Sequence, residues 1–75
     1  MNGLVEVRTY SGYRGEEEPR QLKTVSGWVT LTVLERWLEE DEKTRVRRSC
    51  FRVVDEKGQP HTLQYYHDLC LWYEE

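Results

Sequence analysis

Phe51 to Tyr73, FRVVDEKGQPHTLQYYHDLCLWY, reads as two β-hairpins in succession, and its register decides how the rest of the chain is arranged. Asp55-Glu56-Lys57-Gly58 separates two runs rich in β-branched and aromatic residues, a local signal for a strand reversal. A three-residue loop with Gly58 left-handed sets Asp55 against Gln59, and therefore Val53 against His61 and Phe51 against Leu63. One face then collects Phe51, Val53, His61, Leu63 and Tyr65. A second reversal near His67-Asp68, with an even number of loop residues, adds Cys70 and Trp72 to that face and leaves Cys50, Arg52, Thr62 and Gln64 on the other. The face with Phe51, Leu63 and Trp72 is the expected core, because a slip of one residue would turn all of them to water.

Upstream, Trp28 to Leu38 (WVTLTVLERWL) carries two competing periodicities. Val29, Leu31 and Val33 alternate with Trp28, Thr30 and Thr32, and the β-branched content favours a strand. Thr32 with Glu35 matches a capping box, and Leu31, Leu34 and Leu38 fall at helical spacing. The expectation is a long strand from Trp28 to about Trp37, bent midway, with a short helix near 32–42 as the alternative. Glu39 to Lys43 (EEDEK) reads as a solvated connection, and Arg45 to Val54 begins the next hairpin arm. Leu4 to Tyr10 (LVEVRTY) alternates as a half-buried strand with Val5, Val7 and Thr9 on one face and Glu6 and Arg8 on the other. Ser11 to Pro19 (SGYRGEEEP), with Gly12, Gly15 and a Pro, cannot continue it and forms a loop presenting Tyr13 and Arg14. Arg20 to Val25 reads as a short strand, closed by a tight turn at Ser26-Gly27. Five to six short strands in one domain, residues 1–75, predict an all-β antiparallel meander curled into a small open barrel, since a flat sheet would leave a wet face and two free edges.

At 75 residues the core is small, and the aromatic share, with three Trp and five Tyr, argues for a folded chain over a disordered one. A net charge of −3 speaks against a general nucleic-acid binder. No apolar run approaches a membrane span or a signal peptide, and two Cys without a secretory context read as thiols, so a cytoplasmic location is expected.

Three chemistries can be drawn from the residues. Cys50, His61, His67 and Cys70 are the right types for zinc, but there is no CxxC and the register separates Cys50 from His61, so no metal and no cofactor are expected. No nucleophile, base and oxyanion donor fall together, and the acidic runs Glu16 to Glu18 and Glu39 to Glu42 read as solvated, so no enzyme is expected. The run Lys43, Arg45, Arg47, Arg48 and Arg52, near Phe51, Tyr65 and Tyr66, has the composition of a single-strand binding groove, although alternation splits it between faces. Its plainer reading is surface pairing with neighbouring Glu. The outward set Tyr66, Leu69, Leu71 and Tyr73 is apolar for a solvent face, so either the C-terminal strand is covered on both sides or it offers a partner surface.

Three strings, VEVRTYSGYRGEEEPRQL (5–22), VLERWLEE (33–40) and GQPHTLQYY (58–66) with Trp72 behind it, resemble a family of short bacterial β-rich proteins of unknown function with a Y-S-G-Y-R-G-E-E-x-P opening. The resemblance covers most of the chain and implies a small β-rich cytoplasmic protein with no stated activity. Similar domains occur beside or within DNA-repair polymerase proteins of the translesion type, which favours nucleic-acid contact. Cys50, Cys70 and the Arg45 to Arg48 cluster stand outside the pattern. The expectation is therefore a non-enzymatic protein-interaction module, monomeric or weakly dimeric, using Tyr13, Arg14, Tyr66, Leu69, Leu71 and Tyr73. The alternative is an accessory nucleic-acid-binding domain using the basic run 43–52.

Overall fold

The alternation read from the last third of the chain continues through nearly all of it. The computed structural model describes residues 3–11 and 17–75, for Ser11 and Glu17 the backbone alone. Within them the chain is all-β: β1 (Gly3–Val5), β2 (Val7–Ser11), β3 (Glu17–Thr24), β4 (Gly27–Glu40), β5 (Arg47–Asp55), β6 (Pro60–Tyr66) and β7 (Leu71–Glu74). No helix among the described residues is long and apolar enough to cross a membrane.

The strands form one antiparallel sheet in the order β1-β7-β6-β5-β4-β3-β2. From β2 to β7 this is a meander, and β1 returns to lie beside β7. The two edge strands are consecutive in the chain, with only Glu6 between them. Laid flat, seven strands would hold their edges about 29 Å apart at about 4.8 Å per strand. Val5 to Val7 can reach only about 7 Å. The sheet therefore curls into an open half-barrel, and at the join the Glu6 carbonyl accepts a hydrogen bond from the Lys23 amide at 3.0 Å.

The expected register of the β5–β6 hairpin is present: Val53 faces His61 and Phe51 faces Leu63. The Asp55 amide bonds the Gln59 carbonyl at 2.9 Å, and Gly58 takes φ +83°. Asp55 also accepts the Lys57 and Gln59 amides, so one carboxylate closes the loop. The concave face packs Leu22, Val29, Leu31, Phe51, Val53, Leu63 and Trp72, with Val5, Val7, Val33 and Tyr65 at its margin. Phe51 and Tyr65 flank Trp72 at ring separations of 5.5 and 5.0 Å.

Several expectations are corrected. The described residues form seven strands rather than five or six. The helical alternative over 32–42 is not formed: β4 runs through to Glu40, taking Glu39 and Glu40 out of the expected connection, because they pair in register with Arg48 and Arg47. The expected mid-strand bend is a bulge, in which Val33 faces Val53, Glu35 faces Arg52 and Leu34 is the extra residue. LVEVRTY is two strands, since its halves serve opposite edges of the sheet. The second reversal has four loop residues, an even number as expected, with Tyr66 against Leu71. Cys70 nevertheless does not join the core face: it is the last loop residue, left-handed at φ +55° and exposed, its amide bonded to the Tyr66 carbonyl. Arg45 ends the β4–β5 turn in the same way, at φ +61° with its amide on the Asp41 carbonyl. Val25 sits fully exposed at the β3–β4 turn instead of in a strand, and that turn is pinned by the Thr24 hydroxyl on the Gly27 carbonyl.

Candidate partner-binding face

The convex face of the β4-β5-β6-β7-β1 half holds the expected partner surface and enlarges it. Because directly paired residues point to the same side, a single row crosses all five strands: Trp37, Cys50, Gln64, Tyr73 and Leu4. The neighbouring row runs Glu39, Arg48, Tyr66 and Leu71. Three of the six expected partner residues, Tyr66, Leu71 and Tyr73, thus lie together. Leu69 is in the β6–β7 turn and 58% exposed, and Tyr13 and Arg14 fall outside the described residues.

The face is apolar but ordered by a few polar bonds. Tyr66 meets Tyr73 edge-on at 5.1 Å, and the Tyr66 hydroxyl donates to Gln64 Oε1 at 3.4 Å. Glu39 accepts from Trp37 Nε1 at 2.7 Å and from Arg48 Nη2 at 2.6 Å, bonds that hold its carboxyl below the usual carboxylate range. The Arg48 guanidinium also lies over the Tyr66 ring, 5.9 Å from its centre. Leu4 is 61% exposed and Leu71 38%.

Cys50 is the floor of this face. It points away from the core yet is completely covered, and burial, with the Glu39 charge beside it, pushes its thiol up to about 11. It is therefore a packing residue and a poor nucleophile. A native-state titration with a thiol reagent at pH 8 should modify Cys70 at once and Cys50 only after unfolding. Rapid modification of both would contradict this cover.

The basic run is distributed differently from a binding groove. Arg47 and Arg45 reach Glu40 at 2.9 and 3.6 Å, Arg48 reaches Glu39, and Arg52 reaches Glu35 at 3.5 Å. The β4–β5 register aligns an acidic strand end with a basic one, so four of the five cations meet a carboxylate, while Lys43 stays in the turn. The zinc set is dispersed as well: Cys50 lies under the convex face and His61 on the concave one. Among the described residues no group of His, Cys, Asp and Glu could hold a metal.

His61 has a different setting. Its Nε2–H donates to Asp55 at 2.9 Å and its Nδ1–H to Glu74 at 2.6 Å. Both acceptors are carboxylates, so the protonated ring, donating from both nitrogens, is the form that clamps β5 to β7. Burial works against that charge, but the two bonds outweigh it and raise the His61 pKa above its ordinary value.

Trp37 and Leu4 are the members of the convex face that sequence reasoning missed; Cys50 lies beside Gln64 on the side the register expected, and only its complete cover was not legible. Alternation from Val5 would have put Leu4 there, but Trp37 reaches it only through the bulge at Leu34. No protein-family model, curated protein or solved structure matches this chain.

Proposed function

We propose that the chain is a non-enzymatic protein-interaction module, monomeric or weakly dimeric on its own, that holds a protein partner on the convex face of β4, β5, β6, β7 and β1. The observation that carries this reading is the row of Trp37, Tyr73 and Leu4 beside Tyr66 and Leu71, laid across five strands above a buried thiol. Aromatic rings held in place by edge contacts lose little freedom on binding and are the residue types that dominate interface energetics. The free thiols of Cys50 and Cys70 support a cytoplasmic location. The family resemblance adds a bacterial setting.

The test is the pair Leu71→Glu and Tyr73→Glu, each at a partly exposed position. Both variants should keep the far-UV spectrum and melting behaviour of the parent. Partner recovered from host lysate by the parent should fall at least tenfold with either variant. Unchanged recovery and unchanged oligomeric state in both would remove the support for this face. Nucleic-acid contact through Lys43, Arg45, Arg47, Arg48 and Arg52 has less support, because the carboxylates of β4 already compensate four of these cations.

A further inference from the structure

Two arginines that meet no carboxylate among the described residues lie elsewhere. Among the described residues, Arg36, Arg45, Arg47, Arg48 and Arg52 each reach a Glu, whereas Arg8 and Arg20 meet aromatic rings. Arg8 lies 4.1 Å from the centre of the Trp28 ring and donates to Gln21 Oε1 at 3.2 Å. Arg20 lies 5.1 Å from the centre of the Tyr10 ring.

These residues share one surface. Val7, Leu22 and Val29 turn into the core, so Arg8, Tyr10 and Trp28, at alternate positions of β2 and β4, face out. Arg20 is brought to the same side by the β2–β3 bulge, where Arg8 faces Gln21, Thr9 faces Pro19, and Arg20 is the extra residue. Pro19 explains the bulge: it has no amide hydrogen for a regular ladder and is buried instead. Among the described side chains, Glu6 meets Lys23 at 3.3 Å, Glu18 meets Arg36 at 3.3 Å, and the Glu56 carboxylate accepts the Thr30 amide at 2.8 Å. The surface therefore alternates ring and guanidinium, Trp28, Arg8, Tyr10, Arg20, on an acidic protein, with neither guanidinium in an ion pair among the described residues, and Tyr10 is 56% exposed.

We infer that the convex surface of β2, β3 and β4 is a site for short single-stranded nucleic acid, with Arg8 and Arg20 on phosphates and the exposed Tyr10 ring as the platform for a base. Arg8 and Tyr10 are two residues apart on one strand, about 6.6 Å, so a backbone laid along β2 meets a cation and a ring in turn. Stacking accepts any base and the guanidinium groups supply the attraction to the backbone, so binding is sequence-tolerant, salt-sensitive and weak. An acidic peptide would satisfy the guanidinium groups but leave the ring without a role.

The experiment is fluorescence anisotropy of a labelled oligothymidylate of roughly a dozen nucleotides, a length within the usual range for one small barrel. With two phosphates compensated, the logarithm of the binding constant should fall against the logarithm of salt with a slope of about −1.4. Arg8→Glu with Arg20→Glu should weaken binding at least tenfold, Tyr10→Ser should weaken it several-fold, and all three positions are exposed, so melting curves should match the parent. Arg47→Glu with Arg52→Glu should leave affinity unchanged. Absence of binding at low salt, binding that survives Arg8→Glu with Arg20→Glu, loss through the Arg47 and Arg52 pair instead, or equal competition by polyglutamate would each overturn the assignment. The outcome is independent of the partner-binding face, because Leu71→Glu and Tyr73→Glu touch the other half of the sheet.

Discussion

Leu63→Ala should leave most of the population unfolded at modest denaturant, with a loss of about 3–4 kcal/mol in the urea-extrapolated stability. Leu63 has no exposed surface, sits at the centre of the β5-β6-β7 concave face, and is paired directly with Phe51 and Glu74. Its removal leaves a cavity beside the Phe51 and Trp72 rings, and a small curled sheet has no second layer that could move in to fill it. A chain of this length is expected to have about 4–11 kcal/mol in total, so one such truncation takes a large share. Val25→Ala, at a fully exposed turn position, is the control and should lie within about 0.5 kcal/mol of the parent. If Leu63→Ala melted like this control, the packing of the concave face described above would be wrong.

The second large effect is on pH dependence. His61→Ala at pH 6 should cost about 2–3 kcal/mol, since it removes two charge-assisted hydrogen bonds and leaves the largely buried Asp55 without its counter-charge. In the parent, the His61 pKa is raised above the ordinary 6.5. Its contribution is therefore complete below about pH 6.5 and is lost as pH rises through the elevated folded value. Asp55, bonded first by His61 and then by the Gln59 and Lys57 amides, is held below its ordinary 3.8. Its contribution is present above that value and lost as pH falls through the lower folded one. The two together put the stability maximum between about pH 4 and pH 6.5, with a decline on the alkaline side. Urea midpoints at pH 6 and pH 8, both below the range where the Cys50 thiol of the unfolded chain ionises, should differ in the parent and coincide in His61→Gln, which keeps the shape but cannot titrate. An identical decline in His61→Gln would place its origin elsewhere.

The clamp also illustrates how much of this protein can be read from its residues. His61 was placed on the core face by register alone, and it is there. Nothing in the sequence set Glu74 beside it, because that contact depends on the short β7 returning along β6 so that Glu74 faces Leu63. The same holds for the basic run. Its five cations are visible in the sequence, but their neutralisation needed the β4–β5 register, which extends the strand through residues that read as a charged loop. On the convex face, Tyr66, Leu71 and Tyr73 followed from alternation within one hairpin, whereas Trp37 arrived from β4 after a bulge had changed its side. Arg8 and Arg20 gave no local signal, since what sets them apart is a ring partner, and no ion pair among the described residues, that only the β2–β3–β4 register creates.

What the sequence determined by itself is local parity: a left-handed Gly58 and a reversal of even length set which strand residues of β5, β6 and β7 share a face, because strand period and loop parity are short-range quantities. What only the tertiary structure decided is closure and its consequences. The N-terminal segment divides at Glu6 to serve both edges, Leu34 and Arg20 become bulges, and Cys50 is covered. Each of these accompanies the bending of the sheet until its two edge strands, β1 and β2, come within the span of one linking residue, a condition that no window of neighbouring residues contains.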